Sequence, residues 1–147
     1  MSSLPVFRRG ALWRPLRQAA GRGELSLQIC DQCQQVQYPP REVCRSCLSD
    51  ALSWQQTAAE GEVLAWTRLH ASTQAFFREH LPWCMAVIRL DCGAVLYAYI
   101  SEQCLETGMK VHLHPVQDSN NDFIFVATSP DTDPAQEFEK LTLLTQE

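Results

Sequence analysis

Cys30-Asp31-Gln32-Cys33, ten intervening residues, then Cys44-Arg45-Ser46-Cys47 is the part of this chain around which the rest must be arranged. A Cys-x2-Cys hairpin presents two thiolates to one ion. Two such knuckles supply the four soft ligands, about 2.3 Å from the metal, of a tetrahedral zinc site. The excursion Gln34 to Val43 is long enough to run out and back, with Pro39-Pro40 turning it. A redox role is disfavoured, because there are two copies and no thioredoxin-like βαβ pattern around them. Four protein thiolates leave no open position for water or substrate, so the zinc is expected to be structural; iron suits the same sulfur tetrahedron. Knuckles often carry glycine just after the second cysteine, where a positive φ is wanted, but here Gln34 and Leu48 stand there.

Working outward, Glu24 to Ile29 alternates polar and apolar with period two and runs directly into Cys30, the signature of a half-buried strand. Upstream, Ala11, Leu12, Trp13 and Leu16 are expected to share an apolar face on one or two short helical turns, held short by Gly10 and Pro15. Downstream of the turn-like Ser49-Asp50, Leu52 and Trp54 begin the approach to an all-β unit. Its strands are expected at Gly61 to Ala71, Trp83 to Asp91, Ala94 to Ser101, Lys110 to Pro115 and Asp122 to Ala127. Turn signals separate them: Asp91-Cys92-Gly93, Thr107-Gly108 and Asp118-Ser119-Asn120-Asn121. Five short strands fit a small closed or nearly closed barrel, in which closure removes exposed edges. A five-stranded OB barrel is the leading arrangement, and an SH3-like barrel fits the same pattern.

Ser72 to His80, with Phe76 and Phe77, is expected to cap the barrel as a loop or helical turn. Pro134 to Leu144 is expected to form a terminal helix, since Phe138, Leu141 and Leu144 fall at helical spacing. The fold class is therefore mostly β: a short N-terminal helical arm, a four-cysteine zinc ribbon, then a five-stranded OB-fold barrel. The expected boundaries are a basic arm over 1–23, the ribbon over 24–54, the barrel over 55–127 and an acidic tail over 128–147.

Composition narrows the function classes. With 147 residues, 46% hydrophobic and 20% charged, the chain is one ordinary domain or two small ones, and neither a disordered tail nor a coiled coil. The longest apolar run, Pro82 to Ile88, falls far short of the ~20 residues of a membrane helix. Arg8 and Arg9 are not followed by the apolar stretch of a signal peptide, and seven cysteines without one point to a reducing, cytoplasmic setting. The net charge is −5, yet residues 1–23 carry five arginines and no acid. From Asp118 onward, seven acids face Lys140 alone. An acidic body weakens a general nucleic-acid role, because phosphate affinity comes mainly from clustered positive charge. Basic arms are commonly solvated; their other use is to meet phosphate or an acidic partner surface.

The sequence carries no nucleophile elbow, phosphate loop, zincin motif or three-glycine dinucleotide fingerprint. His112 and His114 lie two apart on an expected strand and share a face with Lys110, as metal ligands or as solvated side chains. His70 and His80 are isolated. Cys84 reads as a buried core thiol and Cys92 as a turn residue, and neither they nor Cys104 have a nearby base. Trp13, Trp54, Trp66 and Trp83 are spread singly, with burial the default for each. An independent enzyme is not expected. A single-stranded nucleic-acid binder is the alternative, with Trp66, Tyr97 and Tyr99 stacking bases; against it, residues 24–54 and 55–117 each carry a net −2.

One set of residues carries a resemblance. The run Gly23-Glu24-Leu25-x-Leu27-Gln28-x-Cys30-x2-Cys33-x4-Tyr38-Pro39-Pro40-Arg41-x2-Cys44-x2-Cys47 resembles the family that pairs a rubredoxin-like zinc ribbon with a C-terminal OB-fold, long catalogued as a domain of unknown function. Gly61-Glu62-Val63, Leu81-Pro82-Trp83, Ala86-Val87, Leu90-Asp91-x-Gly93 and Gly108-Met109-x-Val111 extend the resemblance over roughly residues 10 to 127. The missing knuckle glycines and the acidic extension after Ala127 depart from the family pattern. The resemblance implies a non-catalytic subunit, in a hetero-oligomer with an acyl-CoA enzyme: chiefly a thiolase-like acyltransferase or aldolase, less often a hydratase. It would stabilise that enzyme and help form its CoA-binding channel. Zinc on Cys30, Cys33, Cys44 and Cys47 is then the resident metal, and coenzyme A or acyl-CoA is shared with the partner.

Within this frame Tyr38, Arg41 and Arg45 are the expected CoA contacts, with the arginine arm as a further source of charge, since CoA offers an adenine, a diphosphate and a 3′-phosphate. For Tyr38-Pro39-Pro40-Arg41 two readings stand side by side. Either the prolines stiffen the excursion, Tyr38 packs on the barrel and Arg41 is simply exposed, or the rigid segment presents the planar fork of Arg41 to a phosphate or a partner carboxylate.

Overall fold

The computed structural model describes residues 10–102, 106–118, 122–130, 132–138 and 140–145. Arg8, Arg9, Cys104 and the Ser119-Asn120-Asn121 turn lie outside them. A 3-10 turn, Ala11–Trp13, leads into α1, Arg14–Gly21, with Pro15 in the first helical turn. There its missing N–H costs nothing, so proline opens this helix rather than shortening it. The buried face is Leu16, Ala19 and Ala20, while Ala11 and Leu12 are exposed. The expected face differs because the tighter 3-10 turn breaks the 3.6-residue period before Leu16. Gly23, at φ 72°, ends the helix. Its N–H reaches Ala20 O at 3.0 Å and the Glu24 N–H reaches Ala19 O at 2.9 Å, the paired bonds that satisfy a helix C-terminus.

Three antiparallel strands follow, β1 (Ser26–Cys30), β2 (Val36–Gln37) and β3 (Leu52–Gln56), in the order β2-β1-β3. Gln28 is the hinge of the register, opposite Gln37 on one side and Trp54 on the other. The barrel is built from β4 (Glu60–Leu69), β5 (Trp83–Leu90), β6 (Val95–Ile100), β7 (Lys110–Gln117) and β8 (Phe123–Thr128), closed in the order β4-β5-β6-β8-β7. Its single parallel seam, β6 against β8, pairs only Tyr99 with Val126 and Ile100 with Ala127. A register shift between Val63 and Ala65 bends β4, whose start pairs with β7 and whose length follows β5. At Gly61 a Cβ would sit 2.5 Å from Arg89 O, so the close approach of β4 to β5 admits only glycine. The Asp91-Cys92-Gly93 hairpin forms as the sequence suggests, with Gly93 at φ 98°.

Leu16 and Ala20 of α1, Leu25 and Leu27 of the ribbon, and the inward row of the barrel (Ile88, Leu96, Ile100, Leu113 and Phe125 among them) form one continuous core. Ribbon and barrel are thus fused by shared apolar burial. A second cluster joins Phe76, Trp83, Val126, Phe138 and Leu144. Phe76 comes from α2 (Ala75–Arg78), the expected cap, which is fixed where the Trp83 indole N–H donates to Phe77 O at 2.8 Å. The expected terminal helix is broken into α3 (Pro134–Glu137) and α4 (Leu141–Thr145), because Phe138 is extended, at φ −97° and ψ 97°. That break lets the Lys140 ammonium donate to His80 O at 2.6 Å and to Pro82 O. The segment read as an acidic tail is therefore folded onto the barrel end, with the Glu137 carboxylate buried and accepting from the Ser129 N–H at 2.8 Å.

Candidate metal centre and the loop it supports

The four knuckle cysteines converge. Their sulfur atoms all lie within 4.8 Å of one another, and the pairs Cys30–Cys47 and Cys33–Cys44 are each 3.5 Å apart. A zinc–sulfur distance of about 2.3 Å makes the edge of a regular tetrahedron roughly 3.8 Å, so the thiols already stand where one ion would hold them. The two knuckles repeat one geometry. Gln34 N–H to Cys30 O (2.8 Å) matches Leu48 N–H to Cys44 O (3.0 Å), and Cys30 N–H to Gln35 O (2.9 Å) matches Cys44 N–H to Ser49 O (2.8 Å). Each turn closes through a residue in the left-handed region, Gln34 at φ 65° and Leu48 at φ 63°. These are the two positions where the sequence lacks glycine.

Backbone N–H groups of Cys47 and Ser46 pull the Cys44 thiol down to about 6. At Cys33 the Gln35 N–H also pulls down, but burial and the neighbouring sulfurs push its thiol up to about 12. Four thiols this close cannot all ionise on their own, and a divalent cation is the group that lets them do so. Donor type, number and spacing all fit zinc. Among the described residues, no other group of three or more ligating side chains converges in this way.

The excursion between the knuckles is held by two side chains that sequence reasoning passed over. Gln28 and Gln37 are 3% and 2% exposed. Gln28 donates from Nε2 to Arg41 O and accepts at Oε1 from the Arg41 N–H, both at 2.9 Å, so its amide pairs with Arg41 as a neighbouring strand would. Gln37 donates from Nε2 to Gln28 Oε1 at 2.9 Å and to Val43 O at 3.4 Å, and accepts from the Arg45 N–H at 3.0 Å. Gln28 looked like the polar, outward position of an alternating strand. The excursion folds over that face and buries it. The only signal was an amide, able to both donate and accept, where a charged residue would otherwise serve.

Tyr38 packs edge-on against Trp13 of the N-terminal turn (centroids 5.8 Å apart) and against Phe125 of β8 (5.6 Å), and lines a cavity together with Tyr97 and Tyr99. Arg41 and Arg45 are exposed, while their backbones are held by the glutamine pair. The loop and the second knuckle thus place the three predicted residues differently: Tyr38 inward on the barrel, Arg41 and Arg45 outward.

His112 and His114 do share a face, with ring centroids 4.8 Å apart. His112 lies 3.6 Å from Glu60 Oε1, and His114 hydrogen-bonds Thr128 Oγ1 through Nε2 at 2.9 Å. Burial, then the charge of His112, lowers the His114 pKa. Cys84 is buried, which raises its pKa, and Cys92 is exposed. The three aromatic residues considered for base stacking do not share a face. Tyr97 and Tyr99 stand with their cross-strand partners Val87 and Met85, whereas Trp66 stands with Ala86 and Ala98 on the other side of the sheet. No described helix is long and apolar enough to cross a membrane.

Comparison with known proteins gives the same two-part organisation. Residues 17–53 match the ChsH2 rubredoxin-like zinc ribbon domain, and residues 54–114 match the ChsH2 C-terminal OB-fold domain. The fold is similar to that of an Ltp2-ChsH2(DUF35) aldolase structure, with 23% identity and a TM-score of 0.69 over 84% of this chain and 97% of that one. It is also similar to a DUF35-family protein of unknown function from Sulfolobus solfataricus, with 17% identity and a TM-score of 0.55 over 71% of this chain and 78% of that one. No curated protein matches.

Proposed function

This chain belongs to the ChsH2 family, in which a rubredoxin-like zinc ribbon precedes a C-terminal OB-fold, and from that premise we propose that it is a non-catalytic accessory subunit of an acyl-CoA-handling enzyme complex. Its partner is a thiolase-superfamily acyltransferase or aldolase rather than an acyl-CoA hydratase, in keeping with the aldolase named for the similar Ltp2-ChsH2(DUF35) structure. The complex is cytoplasmic. Cys30, Cys33, Cys44 and Cys47 hold a structural zinc, whose contribution is to fix the two ends of the Gln34–Val43 excursion.

The observation that carries the proposal is the clamped loop: Arg41 and Arg45 project their guanidinium groups from backbone positions fixed by buried amides. A planar fork held in this way suits the diphosphate or 3′-phosphate of coenzyme A at the edge of the partner's channel. Tyr38 anchors the same loop to the barrel. The acyl-transfer or carbon–carbon chemistry belongs to the partner.

The test is purification of the tagged full chain from native lysate, followed by identification and assay of what accompanies it. A thiolase-like enzyme is expected, poorly soluble or weakly active alone and restored by co-expression. Arg41→Ala is expected to raise KM for the CoA substrate about tenfold, since a charge-assisted hydrogen bond contributes roughly 1.5–3 kcal/mol. Recovery of no acyl-CoA enzyme, or a partner fully active without this chain, refutes the proposal.

A further inference from the structure

We infer that Gln28 and Gln37 are positioning residues for anion recognition: together they hold the excursion in its binding geometry before any ligand arrives, and so act through Arg41 and Arg45. The inference rests on the reading of Arg41 and Arg45 as CoA contacts and deepens it.

The case is one of polar accounting. A buried carboxamide left unpaired is costly, so a natural core keeps one only where its donors and acceptor are used. Here two lie side by side, nearly fully buried, and between them make five hydrogen bonds. One joins the two amides, and the other four run to backbone atoms of Arg41, Val43 and Arg45. None of these bonds involves a cysteine. The zinc knuckles fix Cys33 and Cys44, but the ten residues between them have only β2 as regular structure, which ends at Gln37. Past Pro39-Pro40 the chain turns back with no strand to pair with. Gln28 takes the place of that strand for Arg41, and Gln37 does so for Val43 and Arg45. Both arginine side chains remain exposed. A backbone fixed from within and a fork free outside is what preorganised recognition requires, because the ordering cost is met during folding rather than on binding.

The test uses the full chain purified with its catalytic partner, coenzyme A as the titrant, and four variants: Gln28→Met, Gln28→Glu, Arg41→Ala and the double variant Gln28→Met/Arg41→Ala. Zinc content and amide hydrogen exchange are read on the same preparations. In the wild type, the Arg41 and Arg45 amides are expected to exchange slowly despite their exposed side chains. Fast exchange there overturns the inference with no partner needed. Gln28→Met is expected to speed Arg41 exchange and to weaken CoA binding about tenfold, the cost of re-ordering about one backbone residue, with zinc retained. In the Arg41→Ala background it is expected to add little, an outcome that a merely structural role would not produce. Weakening of equal size in both backgrounds, or none in either, overturns the inference while Arg41→Ala still reports on the contact. An Arg41→Ala variant that binds CoA normally overturns the underlying reading, and the positioning role falls with it. If Gln28→Met loses zinc, Gln28→Glu decides. It keeps the acceptor for Arg41 N–H and Gln37 but loses the bond to Arg41 O, and unchanged CoA affinity with accelerated exchange overturns the inference.

Discussion

Replacing Leu48 by glycine should make this protein more stable, although it deletes a large apolar side chain. Leu48 sits at φ 63°, where a residue with a Cβ meets the following carbonyl at a cost of about 1–2 kcal/mol. The residue is 74% exposed, so truncation forfeits little burial. Against this stands the extra freedom of glycine in the unfolded chain, worth roughly 0.5–1 kcal/mol. The balance favours glycine by about 0.5–1 kcal/mol, which for a chain of this size raises Tm by about 1–4 °C. Thermal denaturation of the zinc-loaded protein, followed by circular dichroism, reads the shift. Leu48→Ala is the necessary control, since it loses the same side-chain contacts but keeps a Cβ, and its Tm should stay level or fall slightly. A glycine variant no more stable than the alanine variant would show that the left-handed turn carries no strain, and the account of the knuckles would fail.

Two further outcomes follow from other parts of the molecule. Stripping the metal with a chelator should melt the ribbon, residues 24–54, because its two-residue β2 and short sheet bury too little to fold unaided; amide exchange resolved by segment should show the loss there first, and a ribbon equally protected without metal refutes it. The Glu62 carboxyl is held below its ordinary 4.5 by its hydrogen bond with Arg89, then by the charge of the same guanidinium. Its contribution is therefore present above pH 4.5 and lost as pH falls through the lower folded value; the pair is solvent-screened and the effect small, and Arg89→Ala should remove that part of the acid-limb slope in denaturant titrations.

The strands and their turns were legible because their causes are local. The apolar, bounded run from Trp83 to Leu90 becomes a strand with one more buried and one more outward row, and Gly93 supplies the positive φ its hairpin needs. The cysteine spacing was legible for the same reason, since two knuckles on one excursion can reach one ion whatever surrounds them. What could not be read depends on what covers what. Gln28 alternates correctly as an outward residue and is buried only because the ten-residue excursion between the knuckles returns over it. Phe138 falls at helical spacing from Leu141, yet the chain extends there so that Lys140 can reach the carbonyls of His80 and Pro82, far away in sequence. Trp66 and Tyr97 look like members of one aromatic face until the strand register sets them on opposite sides.

The metal and the loop then read as parts of one device. Cys33 and Cys44 bound the excursion, and their sulfurs meet at 3.5 Å, so the ion closes a loop that no regular strand pairing spans. Within that closure Gln28 and Gln37 take up the backbone at 41 and 43, and just past Cys44 that of Arg45, while Tyr38 lies on Phe125 and Trp13. Each restraint acts on a different point of the same short stretch: its ends, its return limb and its outward limb. None supplies a reacting group. Three independent restraints on an exposed segment exceed what folding stability needs, since surface loops are ordinarily left mobile. The excess is intelligible if the segment must present Arg41 and Arg45 at fixed positions, which is what the proposed recognition of an anion at a partner's channel would demand.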